Sequence, residues 1–261
     1  MIRSLYTAAT GMEAQQLKMD VTANNLANAS TTGFKKGRAE FEELFSDTVR
    51  SAEAPEPNGG SAPAPLQVGL GVRTGSTTRS YAQGDLIATK NPLDVAIEGD
   101  GFFRVLRPNG ELAYTRAGNF RIDAEGRLVT QRGELIDPGI HFPVDAKEIT
   151  IRSDGLVQAR LADSDYVEEL GHIELSIFQN PSGLMALGSN LFAASLASGE
   201  PIQTRPGEEG TGLLSQGFLE GSNVKAVEEM IDMISTQRAY ELNSKVIQTA
   251  DQMLQRLTSL R

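Results

Sequence analysis

The first constraint on this chain is a seven-residue rhythm at its N-terminal end. Ile2, Ala9, Gln16 and Ala23 share one heptad position, and Leu5, Met12, Met19 and Leu26 fall three residues later. Apolar residues alternating at steps of three and four form the a/d seam of a helix that packs on another helix. A strand, with its period of two, would scatter the same residues over both faces. Two alanines and a glutamine keep this seam thin. Gly11 lowers helix stability by about 1 kcal/mol relative to alanine. Such a helix is weak alone and needs close neighbours.

The C-terminal end repeats the theme. Val224, Val227, Ile231, Ile234, Leu242, Val246, Met253, Leu257 and Leu260 lie on one stripe, with Arg238 and Thr249 filling its gaps. Ser222 or Asn223 can cap the start, and Glu228 and Glu229 sit where the helix dipole favours acid. The spacing predicts a helix from about Val224 to Leu260.

The middle has another composition. The run Pro55–Pro65, PEPNGGSAPAP, holds four of the chain's 11 prolines and can be neither helix nor central strand. It marks an extended loop. From Leu66 to Gly217 short apolar runs alternate with glycine-ended turns: Arg107-Pro108-Asn109-Gly110, Asp123-Ala124-Glu125-Gly126 and Ser153-Asp154-Gly155. Such turns join antiparallel strands. The expected fold is therefore α+β. Long terminal helices pair as a coiled-coil-like core, and a mainly antiparallel β domain lies between them. The expected segments are a helical assembly segment at 1–45, a Pro/Gly/Ala-rich loop at 46–65, a β-rich domain at 66–217 and a second helical segment at 218–261.

A net charge of -10 argues against a sequence-independent grip on nucleic acid and against anionic membranes. The only short basic run is Lys35, Lys36 and Arg38. Without cysteine there are no disulfides or thiolate metal sites. No segment approaches the roughly 20 apolar residues of a membrane span, so no membrane insertion is expected. The first dozen residues lack the apolar core of a cleavable signal peptide.

Catalytic signals are nearly absent. Gly69-Leu70-Gly71 and Gly99-Asp100-Gly101 lack the third glycine and following helix of a dinucleotide loop. His141 and His172 are far apart in strand-rich sequence without companion ligands. Asp123, Glu125, Asp163 and Asp165 read as solvated turn residues. No catalytic, metal or cofactor residue is expected. The rival architecture is an enzyme or binding module whose β domain rides on helical oligomerisation arms. It requires a concave polar cluster with perturbed pKa values.

Five stretches carry a resemblance. Asp20–Lys36 reads DVTANNLANASTTGFKK, with Asn24, Asn25, Leu26 and Asn28 ahead of Gly33 and Phe34. The C-terminal stretch reads QGFLEGSNV from Gln216, then QRAYE from Gln237, NSKVI from Asn243 and DQML from Asp251. Between them lie DVAIEGDGFF from Asp94, YTRAGNF from Tyr114 and GRLVT from Gly126. Together these resemble the rod and hook proteins of the bacterial flagellum, over nearly the whole chain. The resemblance implies an axial subunit, not an enzyme, that polymerises with itself into a hollow helical shaft crossing the periplasm. Implied partners are proximal rod proteins, the hook protein, the P- and L-ring proteins and the flagellar type III export apparatus, which would export the chain without signal-peptide cleavage. Subunit contacts are then expected at Leu5, Met12, Met19, Asn24, Asn25, Leu26, Asn28, Gly33 and Phe34. On the C-terminal helix they are expected at Val227, Ile231, Ile234, Arg238, Tyr240, Leu242, Val246, Met253 and Leu257. The asparagine corner at 24–34 is expected to be a joint between subunits.

Overall fold

A computed structural model describes residues 2–50, 65–161, 167–208 and 210–259. The expectation for the proline-rich run falls outside these residues except at Pro65, and that for Asp163 and Asp165 falls outside them altogether. The chain divides into two compact units. One comprises residues 1–27, 37–78 and 225–261; the other comprises 28–36 and 79–224. The units interleave along the chain, where the sequence suggested four consecutive segments. Residues 28–36 and 218–224 group with the β unit, and 66–78 with the helices.

In the helical unit, α1 (Ile2–Ala27) and α2 (Ala226–Ser259) pack antiparallel. Gly11 lies level with Asn243, and Asn25 with Glu229. Glu228 and Glu229 occupy the first turn of α2, as dipole complementarity favours. The strand Gly37–Glu43 pairs with Val72–Arg79, and Ser46–Arg50 pairs with Leu66–Gly69. The first five residues of the expected loop, 46–50, are therefore strand.

The helices meet along a seam that sequence patterning did not select. Ala8, Ala14, Thr22 and Asn25 of α1 are buried, with Glu229, Thr236 and Ala250 of α2. The expected positions behave differently: Ala9, Gln16 and Ala23 are exposed, and Leu5, Met12, Met19 and Leu26 are half-buried. The coiled-coil pairing expected along Leu5 and Met12 is thus corrected to a seam one residue out of step. Small residues explain it. A Cβ on Gly11 would stand 2.9 Å from Asn243 Nδ2, so the two backbones approach where side chains are smallest.

The β unit is mainly antiparallel. Its largest sheet contains nine strands among the described residues. Phe102–Leu106 lies centrally, paired with Leu112–Thr115, Leu135–Ile136 and Leu175–Ile177. Ala146–Ile151, Leu156–Leu161 and Val167–His172 form a separate three-stranded sheet. Two ribbons close the unit: Val95–Glu98 with Leu213–Gln216, and Leu86–Ala88 with Phe218–Glu220. Val95, Ile97, Phe103, Val105, Phe120 and Leu175 are at most 2% exposed in one contiguous core. A second cluster stacks Phe102, Tyr114, Phe178 and Phe192 edge to face. At the expected turn, Gly126 has φ 79°, and a Cβ there would lie 2.5 Å from the Phe142 carbonyl. Only glycine fits that turn.

Candidate subunit interface

The asparagine corner is satisfied inside one chain. Asn25, 2% exposed, donates to the Gly37 carbonyl at 2.9 Å and to Glu229 Oε2 at 3.0 Å. Its own Oδ1 accepts from the Gly37 N–H at 2.8 Å. A buried amide with this many partners holds the chain as it leaves α1. Asn24 is exposed, and Asn28 accepts from the Thr31 hydroxyl at 3.2 Å. Asn28 and Thr31 border a polar cleft of about 490 Å³ with Asn119, Gln131 and Asn190. Gly33 has φ 68°, and a Cβ there would lie 2.7 Å from the Ala117 amide nitrogen. Phe34 is buried. Asn25, Gly33 and Phe34 thus have roles within the chain that the expectation of a joint between subunits did not include.

Next in sequence, Lys35 enters the β unit's interior. Its ammonium is fully buried, 2.7 Å from Glu220 Oε1 and 2.9 Å from the Ala82 carbonyl. Arg116 Nε lies 3.0 Å from Glu220 Oε2, and the guanidinium also donates to the Gly99 and Gly101 carbonyls. The Gly84 N–H adds a bond to Glu220 Oε1 at 3.0 Å. Burial pulls the Lys35 pKa below its usual 10.5, with Arg116 adding to the fall and Glu220 opposing it. The sequence treated Lys35 as part of a surface basic run. The missed signal was one charge inside each of three small-residue motifs: Lys35, Arg116 and Glu220.

Facing outward, α2 presents an apolar stripe. Val227, Ile231 and Leu242 are 66%, 62% and 65% exposed. Ile234, Val246 and Met253 continue it, with Arg238 exposed within it, whereas Tyr240, also exposed, lies on another face of the helix. Leu257 lies on α2, but its side chain is outside those described. At about 100° per residue this stripe is centred roughly 130° around the helix from the seam holding Glu229, Thr236 and Ala250. An aligned apolar row of this size on one helix face marks an interaction surface.

Elsewhere, an aromatic-walled cavity of about 320 Å³ is lined by Tyr81, Phe102, Phe178 and Arg116. Burial raises the Tyr81 pKa to about 12, the Arg79 charge opposing it. His141 sits at an isolated bridge opposite Arg127, and His172 pairs opposite Leu156. Among the described residues no three His, Cys, Asp or Glu side chains form a metal-binding group. No helix is long and apolar enough to cross a membrane.

An antiparallel helix pair closed by small residues, with an apolar face left outward on α2, is the kind of structure a subunit of an assembly presents. Comparison with known proteins agrees. Residues 5–35 match the model described as flagella basal body rod protein. Residues 96–159 match the flagellar hook protein FlgE/F/G D1 domain, and 215–260 match the flagellar basal body rod FlgEFG protein C-terminal model. The flagellar basal-body rod protein FlgG of Caulobacter vibrioides is 48% identical over the full length of both chains. That of Bacillus subtilis is 41% identical, again over the full length of both. A flagellar hook protein FlgE from Helicobacter mustelae is 43% identical over 52% of this chain and 30% of its own. The chain belongs to the family of flagellar basal-body rod proteins.

Proposed function

We propose that this chain is the repeating element of a helical shaft, joined to its neighbours through the outward faces of α1 and α2. As a member of its family it is a structural subunit of the flagellar distal rod, and not an enzyme. It assembles with itself and with other basal-body components. The observation that carries the assembly mode is the exposed stripe at Val227, Ile231, Ile234 and Leu242. Repeated heterologous contacts that do not close on themselves build an open filament. Many such contacts loaded in parallel pass torque from motor to hook. The proposed surroundings are the periplasm, the P- and L-rings, the proximal rod and the hook. Type III export of an uncleaved chain is part of the same reading.

The test is Ile231→Asp combined with Leu242→Asp in the full chain. Sedimentation of concentrated protein and motility of cells lacking the native gene are measured together. The variant is expected to remain soluble and folded, to leave the pellet, and to fail to restore swimming. Polymer formed at wild-type yield would remove α2's outer face from the proposal.

A further inference from the structure

The outward stripe of α2 is not wholly apolar. Arg238 and Lys245 are exposed within it, seven residues apart, or about 10.5 Å along the helix. If this face is covered in an assembly, two cations go with it. Cations removed from water need carboxylates opposite them. The partner surface must therefore offer two acids with the same spacing.

The chain carries such a pair. Glu13 and Asp20 are seven residues apart on α1. They are the only acids so spaced on either helix, just as Arg238 and Lys245 are the only such bases. Both acids are exposed and flank the exposed Ala9–Gln16–Ala23 row of α1, on the side away from Met12 and Met19. Among the described residues none of these four side chains forms an ion pair within the chain. We infer that the α2 stripe of one copy docks on the exposed Ala9–Gln16–Ala23 row of α1 in the next, with Asp20 opposite Arg238 and Glu13 opposite Lys245. This rests on the assembly mode proposed above and adds the partner helix and its register.

The register has a geometric consequence. Copies pointing the same way along a filament keep α1 and α2 antiparallel at their mutual contact, as they are within one chain. Inside the chain, Gly11 is level with Asn243 and Asn25 with Glu229. That alignment sets Asp20 level with residue 234 and Glu13 with residue 241. Docking Asp20 on Arg238 therefore shifts the neighbouring copy by four residues, one helical turn, or about 6 Å along the axis. Adjacent copies lie nearly side by side, which brings both charge pairs into contact at once.

Charge exchange tests the register in the full chain. The double variant Glu13→Lys with Asp20→Lys is expected to lower sedimentable polymer at least about tenfold, as is Arg238→Glu with Lys245→Glu. All four changes together are expected to restore polymer to near the wild-type yield. Because the chain has no cysteine, a second readout is clean. Chains bearing only Asp20→Cys are mixed with chains bearing only Arg238→Cys, polymerised and oxidised. A disulfide-linked dimer supports the register. Polymer that forms without this cross-link, together with fourfold exchange that restores nothing, overturns the register and leaves helical assembly standing. Wild-type chain that never polymerises removes both.

Discussion

The two units bury different kinds of residue. Between α1 and α2 the buried positions are Ala8, Ala14, Thr22, Thr236 and Ala250, with an Asn25–Glu229 hydrogen bond. In the β unit they are Phe103, Phe120, Ile97, Leu128 and Leu175. Full burial of a large apolar side chain stabilises by about 1.5–3 kcal/mol, and an alanine has far less surface to remove from water. The β unit therefore carries its stability inside itself. The helical unit turns small residues inward and larger ones outward, so on the assembly mode proposed above much of its stabilisation comes from a neighbour. On that proposal one polypeptide holds a region complete alone and another that association completes.

The largest effect should come from the β unit's buried charges. Glu220→Ala leaves the Lys35 and Arg116 cations unpaired and is expected to cost about 3–5 kcal/mol. Urea unfolding followed by near-ultraviolet circular dichroism measures it. A loss under 1 kcal/mol would mean that the β unit does not depend on this cluster. Asn25→Ala in the helical unit should cost less, about 1–3 kcal/mol, by removing partners from Glu229 and Gly37. Its signature is faster amide exchange in α1 and α2 with strands 95–106 unchanged. In dilute wild-type chain those helices should already exchange faster than those strands, and equal protection would erase the contrast between the units.

Leu242→Ala sharpens the same contrast. Its side chain is exposed, so monomer stability should move by less than about 0.5 kcal/mol while sedimentable polymer falls. The smallest effect concerns alkaline pH. The Tyr81 hydroxyl has no hydrogen-bond partner among the described residues, and burial raises its pKa from 10.0 to about 12. Between those values the folded chain holds the more protons, so stability falls as pH rises. Tyr81→Phe should flatten that decline in melting temperature without lowering stability near neutral pH.

Much of this was legible beforehand. The heptads at Leu5–Leu26 and Val227–Met253 announced two helices, and glycine-ended turns announced antiparallel strands. Which face of each helix turned inward was not legible. Patterning ranks leucine and methionine first as core residues, whereas close approach of two backbones selected Ala8, Gly11 and Ala14. The charge cluster was hidden for another reason. Lys35, Arg116 and Glu220 are separated by 81 and 104 residues, and only tertiary folding brings them together. The asparagines at 24–28 were recognisable as a signature, but Asn25's partners Gly37 and Glu229 are set by the tertiary fold and were not.

The β unit's first and last segments are fastened to each other. The Gly33 N–H donates to the Glu220 carbonyl at 2.8 Å, and the Lys36 N–H to Asn223 Oδ1 at 2.7 Å. Asn223 Nδ2 reaches on to the Ser80 and Ala82 carbonyls. Three of the four points where the chain leaves or enters this unit, after residues 36, 78 and 224, lie within a few residues of these bonds, like cords through one eyelet. A pull on any of them meets these bonds and the buried Lys35–Glu220 contact. A subunit strained in one direction for many rotations would not come undone one residue at a time.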